Sequence, residues 1–253
     1  MDLEKYLARI NITKIEPPSL AYLTRLMENH LIIVPFENLD ILLGRDISLD
    51  RERIYQKVVE RKRGGYCYEL NGLFSWALQE LGFKVDLISA QVFREKTGLY
   101  SPEFAHLALM VQLDRPYLVD VGFGGESFRR PMLFPGGEME DVGGRRRLRR
   151  IDYDEDRHVV EFMEGVNPRP QYSFTPQPRV MSDFQEMNVV HQTAKESRFT
   201  KGVICGLALE NGWMMLRGNI LKIVENGNTE CVNLPSAELR DRFIVSHFGI
   251  RLE

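Results

Sequence analysis

Arg63-Gly64-Gly65-Tyr66-Cys67-Tyr68-Glu69-Leu70-Asn71 decides how this chain is read. Downstream of it, Leu70, Leu73, Phe74, Ala77, Leu78 and Leu81 fall at helical spacing on one face, and Gly82 stands where that helix should end. Cys67 is therefore predicted at or beside a helix N-terminus, just after a glycine pair. Unpaired N–H groups and the helix dipole at that position favour a thiolate over a thiol. The same amides can donate to an oxyanion forming on an attacked carbonyl. The glycines let backbone approach a ligand more closely than a Cβ would permit. In isolation, Gly-Gly-x-Cys also reads as a plain turn before a buried helix-start residue. It becomes a site only if a base arrives from elsewhere.

Upstream the pattern is helical. Residues 2–10 open a short amphipathic helix, Ser19 is placed to cap a second over 20–27, and a third spans about 50–61 with Ile54, Val58 and Val59 on its apolar face. Pro35-Phe36-Glu37-Asn38-Leu39-Asp40 reads as a Pro-containing link between them, not a strand. From Lys84 the period changes to strand-like runs at 85–88, 105–113, 117–121 and 158–162, with turn signals at Asp114-Arg115-Pro116 and Gly143-Gly144. The last part mixes strands at 202–209, 213–216 and 220–224 with a helix near 236–248. The reading is α+β: a helical lobe, an antiparallel sheet or small barrel, and a mixed C-terminal lobe.

A base and its orienter come from the second lobe. His106 begins the apolar run His106-Leu107-Ala108-Leu109-Met110-Val111. Asp120 interrupts Tyr117-Leu118-Val119-Asp120-Val121-Gly122-Phe123, where burying a carboxylate without a partner is costly. The Asp114-Arg115-Pro116 turn makes these two strands a hairpin, and a Cys–His pair held by a carboxylate is a known recipe for covalent catalysis. Taking 114–116 as the loop sets Asp120 opposite Met110, four residues from His106, or about 13 Å along the strand. A bulge, twist or bend is expected to close that gap.

Composition sets the outer bounds. Across 253 residues, 43% hydrophobic and 27% charged content is ordinary for a water-facing globular chain, and a net charge of −3 gives no general attraction to nucleic acid or an anionic membrane. There is no spanning-length apolar run and no signal-peptide pattern at Met1-Asp2-Leu3-Glu4-Lys5, so a cytoplasmic location is expected. Cys67, Cys205 and Cys231 are too few and too scattered for a disulfide framework, and no His or Cys spacing suggests a metal. Cys205 and Cys231 are expected to be buried and inert. The run Arg145-Arg146-Arg147-Leu148-Arg149-Arg150 is followed by Asp152, Asp154, Glu155 and Asp156. It reads as a solvated hairpin compensated by those acids.

Taken together, these motifs resemble the arylamine N-acetyltransferase family. Residues 63–74 look like its nucleophile motif, Ala105-His106-Leu107 and Leu118 to Gly124 like its histidine and aspartate motifs, Val34 to Leu39 like its N-terminal signature, and Phe248-Gly249-Ile250 like its ending. The resemblance covers nearly the whole chain. It implies a helical bundle over 1–83, an antiparallel β-barrel over 84–186 and an α/β lid over 187–253, around a papain-like or transglutaminase-like core with a Cys67-His106-Asp120 triad. It also implies ping-pong chemistry: acetyl-CoA acetylates Cys67, coenzyme A leaves, and an arylamine, arylhydrazine or N-hydroxyarylamine takes the acetyl group. Phe123, Phe128 and Phe36 would line the acceptor pocket, with Gly122, Gly124 and Gly125 beside the pantetheine end of coenzyme A. Amide synthases that close macrolactams share the resemblance, and a hydrolase would use the same triad. The lid segment 190–199 departs from the family pattern, and Ser197 and Phe199 fit it only loosely. Small-molecule partners, no metal, and a monomer or homodimer are expected.

Overall fold

The computed structural model describes residues 1–151, 154–165 and 167–251, without the side chains of Glu155 and Glu164. Four α-helices precede the nucleophile: α1 (Leu3–Arg9), α2 (Leu20–Ile33), α3 (Leu39–Leu42) and α4 (Arg51–Tyr55). Asp2 caps α1 by accepting from the Lys5 N–H, and Ser19 caps α2 by accepting from the Tyr22 N–H, as their residue types predict. The third predicted helix divides: α4 runs into one π-helical stretch, Gln56–Glu60. Helix α5 (Cys67–Glu80) carries the nucleophile at its first residue and is buried over nearly its whole length. Gly82 ends it in the left-handed region, φ +86°.

The 35–40 link contains a strand after all. β1 (Phe36–Glu37) pairs antiparallel with Gly206 and Cys205, which lie far along the chain. Local pattern carries no trace of a pairing that distant.

The central sheet comprises β2 (Lys84–Arg94), β3 (Leu99–Tyr100), β4 (His106–Gln112), β5 (Pro116–Val119), β6 (Met132–Leu133), β7 (Gly137–Asp141), β8 (Gly144–Ile151), β9 (Asp154–Glu164) and β10 (Asn167–Arg179). Its order is β6-β5-β4-β2-β10-β9-β8-β7, with β3 on β2 and every pairing antiparallel. The edge strands β6 and β7 follow one another in the chain and lie against each other, so the sheet curls into a nearly closed barrel. Helix α5 packs on β2 and β4 through an apolar core that includes Leu70, Phe74, Ile88, Leu107 and Leu109. That packing brings Cys67 to the strand that begins with His106.

The β4–β5 register corrects the expected one. Gln112 pairs with Pro116, Met110 with Leu118 and Leu109 with Val119. The turn is 113–115, closed by the Leu113 N–H donating to the Arg115 carbonyl at 3.1 Å. Asp120 therefore comes level with Ala108, two residues from His106, about 7 Å along the strand. Pro116 is the first strand residue, a place where its missing N–H costs nothing.

After β10 come α6 (Gln185–Thr193), β11 (Ile204–Leu209), β12 (Gly212–Arg217), β13 (Ile220–Glu225), β14 (Asn228–Asn233) and α7 (Ala237–Phe248), the strands forming a sheet in the order β1-β11-β12-β13-β14. Cys205 is buried, but Cys231 lies exposed on β14, contrary to expectation. The arginine run is a strand hairpin, yet its compensation comes from across the sheet. Arg145 pairs with Glu138, while Arg147 and Arg149 both pair with Glu161. Asp154 pairs instead with Arg157; Asp152 lies outside the described residues. No described helix is long and apolar enough to cross a membrane.

Candidate active site

Cys67 is 2% exposed, and the turn before it is held by buried charges. The Glu69 carboxylate reaches back to accept from the Tyr66 N–H at 3.0 Å and from Lys57 Nζ at 2.8 Å. Lys57 also pairs with Asp40 at 2.8 Å, and Arg63 donates to Glu37 and Asp40 at 2.7 and 3.1 Å. Burial alone would push the Lys57 ammonium down, but Glu37, Glu69 and Asp40 hold it above its ordinary value. Burial raises the Glu69 carboxyl against the pull of Lys57. Gly65 fits here because a Cβ would lie 2.8 Å from the Glu69 side chain.

His106 stands between sulfur and carboxylate. One ring nitrogen, Nε2, lies 2.7 Å from Asp120 Oδ2, leaving Nδ1 as the ring nitrogen for Cys67. Burial pushes the imidazole pKa down. The Asp120 charge and hydrogen bond, joined by a hydrogen bond with Cys67, outweigh that and raise it to about 10. Asp120 is fully buried, and its other oxygen accepts from Asn71 Nδ2 at 2.9 Å and the Gly122 N–H at 2.8 Å.

Asn71 was quoted in the sequence motif without a role, and it completes the constellation. It sits one helical turn after Cys67, donates also to the Leu107 carbonyl at 2.7 Å, and accepts from the Val121 N–H at 2.9 Å. A polar residue four positions after the nucleophile, between the apolar Leu70 and Leu73, is the signal that finds it only once the nucleophile is known. Next to it, a Cβ on Gly122 would lie 2.7 Å from Cys67 Cα and 2.6 Å from Asn71 Nδ2. Only glycine lets the aspartate loop lie against the nucleophile's backbone.

Of the predicted pocket residues, Phe123 stands edge-on to His106 with centroids 5.5 Å apart, and Tyr172 contacts both rings at 5.2 and 5.3 Å. Phe36 borders the same loop: a Cβ on Gly124 would lie 3.7 Å from its ring. Phe128 is buried in the core and makes no ring contact with His106, Phe123 or Phe36 among the described residues. Gly125 packs on the Met214 carbonyl. Phe199, which fits the family pattern only loosely, packs among these residues: its ring lies 5.5 Å from Tyr66, 5.0 Å from His191 and 6.2 Å from Phe36.

The 122–128 loop is anchored from outside by Arg146, the one member of the arginine run that is fully buried. Its guanidinium donates to the Glu126 carbonyl at 2.6 Å and the Gly143 carbonyl at 2.7 Å, and lies over the Phe162 ring. Among the described residues, no group of three or more His, Cys, Asp or Glu side chains is arranged to hold a metal ion.

The chain is similar to known proteins over nearly its whole length. The N-acetyltransferase family model matches residues 19–253. The arylamine N-acetyltransferase of Mycolicibacterium smegmatis is 35% identical over all of this chain and 93% of its own length. A solved structure of the M. smegmatis arylamine N-acetyltransferase superposes with a TM-score of 0.92 at 35% identity, covering 100% of this chain and 93% of that one. The Mycobacterium marinum arylamine N-acetyltransferase in complex with CoA superposes with a TM-score of 0.91 at 31% identity, covering 98% and 93%. With motif, fold and full-length likeness in agreement, this chain belongs to the arylamine N-acetyltransferase family.

Proposed function

We propose that the chain transfers an acetyl group from acetyl-CoA to an aromatic amine, hydrazine or N-hydroxyarylamine by a ping-pong route through acetyl-Cys67. The observation that carries this reading is His106, hydrogen-bonded to Asp120 at 2.7 Å and facing a sulfur at the first residue of α5. An imidazole raised to about 10 carries its proton at neutral pH, the counter-ion that thiolate attack requires. The thiolate attacks the thioester carbonyl, and first-turn amides of α5 stabilise the oxyanion. His106 gives its proton to the departing coenzyme A sulfur. An arylamine is neutral at pH 7 and attacks the new thioester, while His106 takes the proton lost as the amide forms.

Coenzyme A as partner is supported by the M. marinum relative's complex, and Gly122, Gly124 and Gly125 are proposed to lie beside its pantetheine end. Phe123, with Phe36 and Phe128, is proposed to line the acceptor side. The lobes are proposed to divide as 1–83, 84–186 and 187–253; the second junction falls within α6. The enzyme is proposed to work in the cytoplasm as a monomer or homodimer. Initial rates over a grid of acetyl-CoA and arylamine concentrations test the route. Parallel double-reciprocal lines are expected; intersecting lines would replace it with direct transfer in a ternary complex.

A further inference from the structure

Helix α6 turns a polar face inward and an apolar one outward. Asn188 is buried and His191 and Gln192 are partly buried, while Val189 and Val190 are exposed. Asn188, His191 and Gln192 stand at i, i+3 and i+4, so they share one face. Polar groups turned inward are costly unless they find partners, and each of these residues does. Asn188 accepts from the Tyr66 hydroxyl, and its amide donates to the Ile47 carbonyl at 2.9 Å. Gln192 accepts from the Ile47 N–H at 2.6 Å and donates to the Ile47 carbonyl at 3.1 Å. His191 Nε2 lies 2.9 Å from the Ala105 carbonyl, which can only accept, so that nitrogen carries the hydrogen.

Two of these partners adjoin the triad. Tyr66 immediately precedes Cys67, and Ala105 immediately precedes His106. One turn of α6 therefore grips both the start of α5 and the start of β4. The His191 ring also stacks on Tyr68, with centroids 5.7 Å apart, and the Tyr68 hydroxyl donates to the Phe104 carbonyl at 2.5 Å. Phe104 is left-handed, φ +62°, and its N–H donates to Ser89 Oγ at 2.7 Å. A residue other than glycine keeps that conformation only where its surroundings fix it. The approach to His106 is thus held at two consecutive carbonyls, one by α5 and one by α6.

We infer that Asn188 and His191 are positioning residues, which act through Tyr66 and Ala105 to set the separation and aim of the Cys67 sulfur and the His106 imidazole. A misplacement of about 1 Å between reacting groups is enough to cost roughly 100-fold in rate. The inference deepens the acyl-transfer reading above and rests on it for turnover. Alkylation of the Cys67 sulfur does not depend on that reading.

His191→Phe keeps a ring against Tyr68 and removes the donor to Ala105, whereas His191→Gln loses the ring and restores a donor of similar reach. In His191→Phe, kcat is expected to fall about tenfold, with KM for acetyl-CoA within about twofold of wild type. Iodoacetamide alkylation of Cys67 at pH 7 should slow by a similar factor. The His106 titration, followed by imidazole NMR, should move below its wild-type position, because the Cys67 contribution that helps raise it weakens. His191→Gln should recover most of all three. Tyr66→Phe removes the other tether without altering α6 and is expected to move the same readouts in the same direction. It carries the test if His191→Phe does not fold. A His191→Phe protein that melts lower but keeps wild-type kcat, alkylation rate and His106 titration overturns the inference, since α6 then serves stability alone. Equal losses in the phenylalanine and glutamine variants overturn it as well. If wild type takes no acetyl group from acetyl-CoA, the acyl-transfer reading fails, and alkylation and titration alone uphold or overturn the positioning role.

Discussion

Asn71 Nδ2 lies 2.9 Å from Asp120 Oδ1, so the helix that carries the nucleophile also holds the aspartate that orients the base. The same amide fixes Val121 and Leu107, so one side chain ties α5 to both strands of the hairpin. Asn71→Ala is expected to lower kcat/KM by roughly 10- to 100-fold, the cost of one or two buried hydrogen bonds to a charged group. The loss should be accompanied by a lower His106 pKa, read by imidazole NMR. A variant with reduced turnover and an unmoved His106 titration would show that Asn71 acts only on stability.

Asp120→Asn keeps the shape but removes the charge that raises His106. Turnover is expected to drop by about 10³-fold or more, as when a buried triad carboxylate is neutralised elsewhere. Iodoacetamide alkylation of Cys67 at pH 7 should slow in parallel. Retention of more than a tenth of wild-type turnover would remove Asp120 from the site.

Gly122→Ala places a methyl group 2.7 Å from Cys67 Cα, against backbone that cannot rotate away. A destabilisation of about 1–3 kcal/mol is expected from overpacking, together with a larger loss of kcat than of substrate affinity. Chemical denaturation and single-turnover kinetics separate the two. An alanine variant with wild-type kcat would mean the loop relaxes freely.

Lys57→Met leaves Glu37, Asp40 and Glu69 buried around an apolar side chain. Breaking such a network from one side costs about 3–5 kcal/mol. Adding Glu69→Leu to it should recover part of the loss, because one stranded carboxylate is then gone. A double variant less stable than the single would contradict this account of the cluster.

Stability should pass through a maximum near neutral pH. His106 is raised to about 10, so its contribution is complete below the unfolded value near 6.5 and is lost as pH rises toward 10. His30 and His191 are lowered, to about 3 and about 4, chiefly by burial. They stay neutral when folded but take up a proton when unfolded, so stability is lost as pH falls below about 6.5. Melting temperature against pH checks both limbs, and Asp120→Asn should flatten the alkaline one alone.

The residues that carry charge or nucleophilic character where the pattern is apolar were legible without coordinates. Asp120 stood out because a lone carboxylate in a hydrophobic strand needs a partner, and Cys67 because a glycine pair and a helix start converge on it. What was not legible depends on non-local pairing. Pro116 looked like a turn residue but begins a strand, which moved Asp120 two residues nearer His106. Phe36–Glu37 is a strand only because β11 lies beside it. Arg146 is indistinguishable in sequence from its exposed neighbours; which arginine is buried is set by the pleat of β8 and by the carbonyls of the 122–128 loop.

The most direct test of the central claim is the intact mass of the protein after incubation with acetyl-CoA and no amine, followed by peptide mapping and assay of released coenzyme A. One acetyl group on Cys67 is expected, absent in Cys67→Ala and discharged by an arylamine. No adduct and no released coenzyme A would contradict acetyl transfer through Cys67.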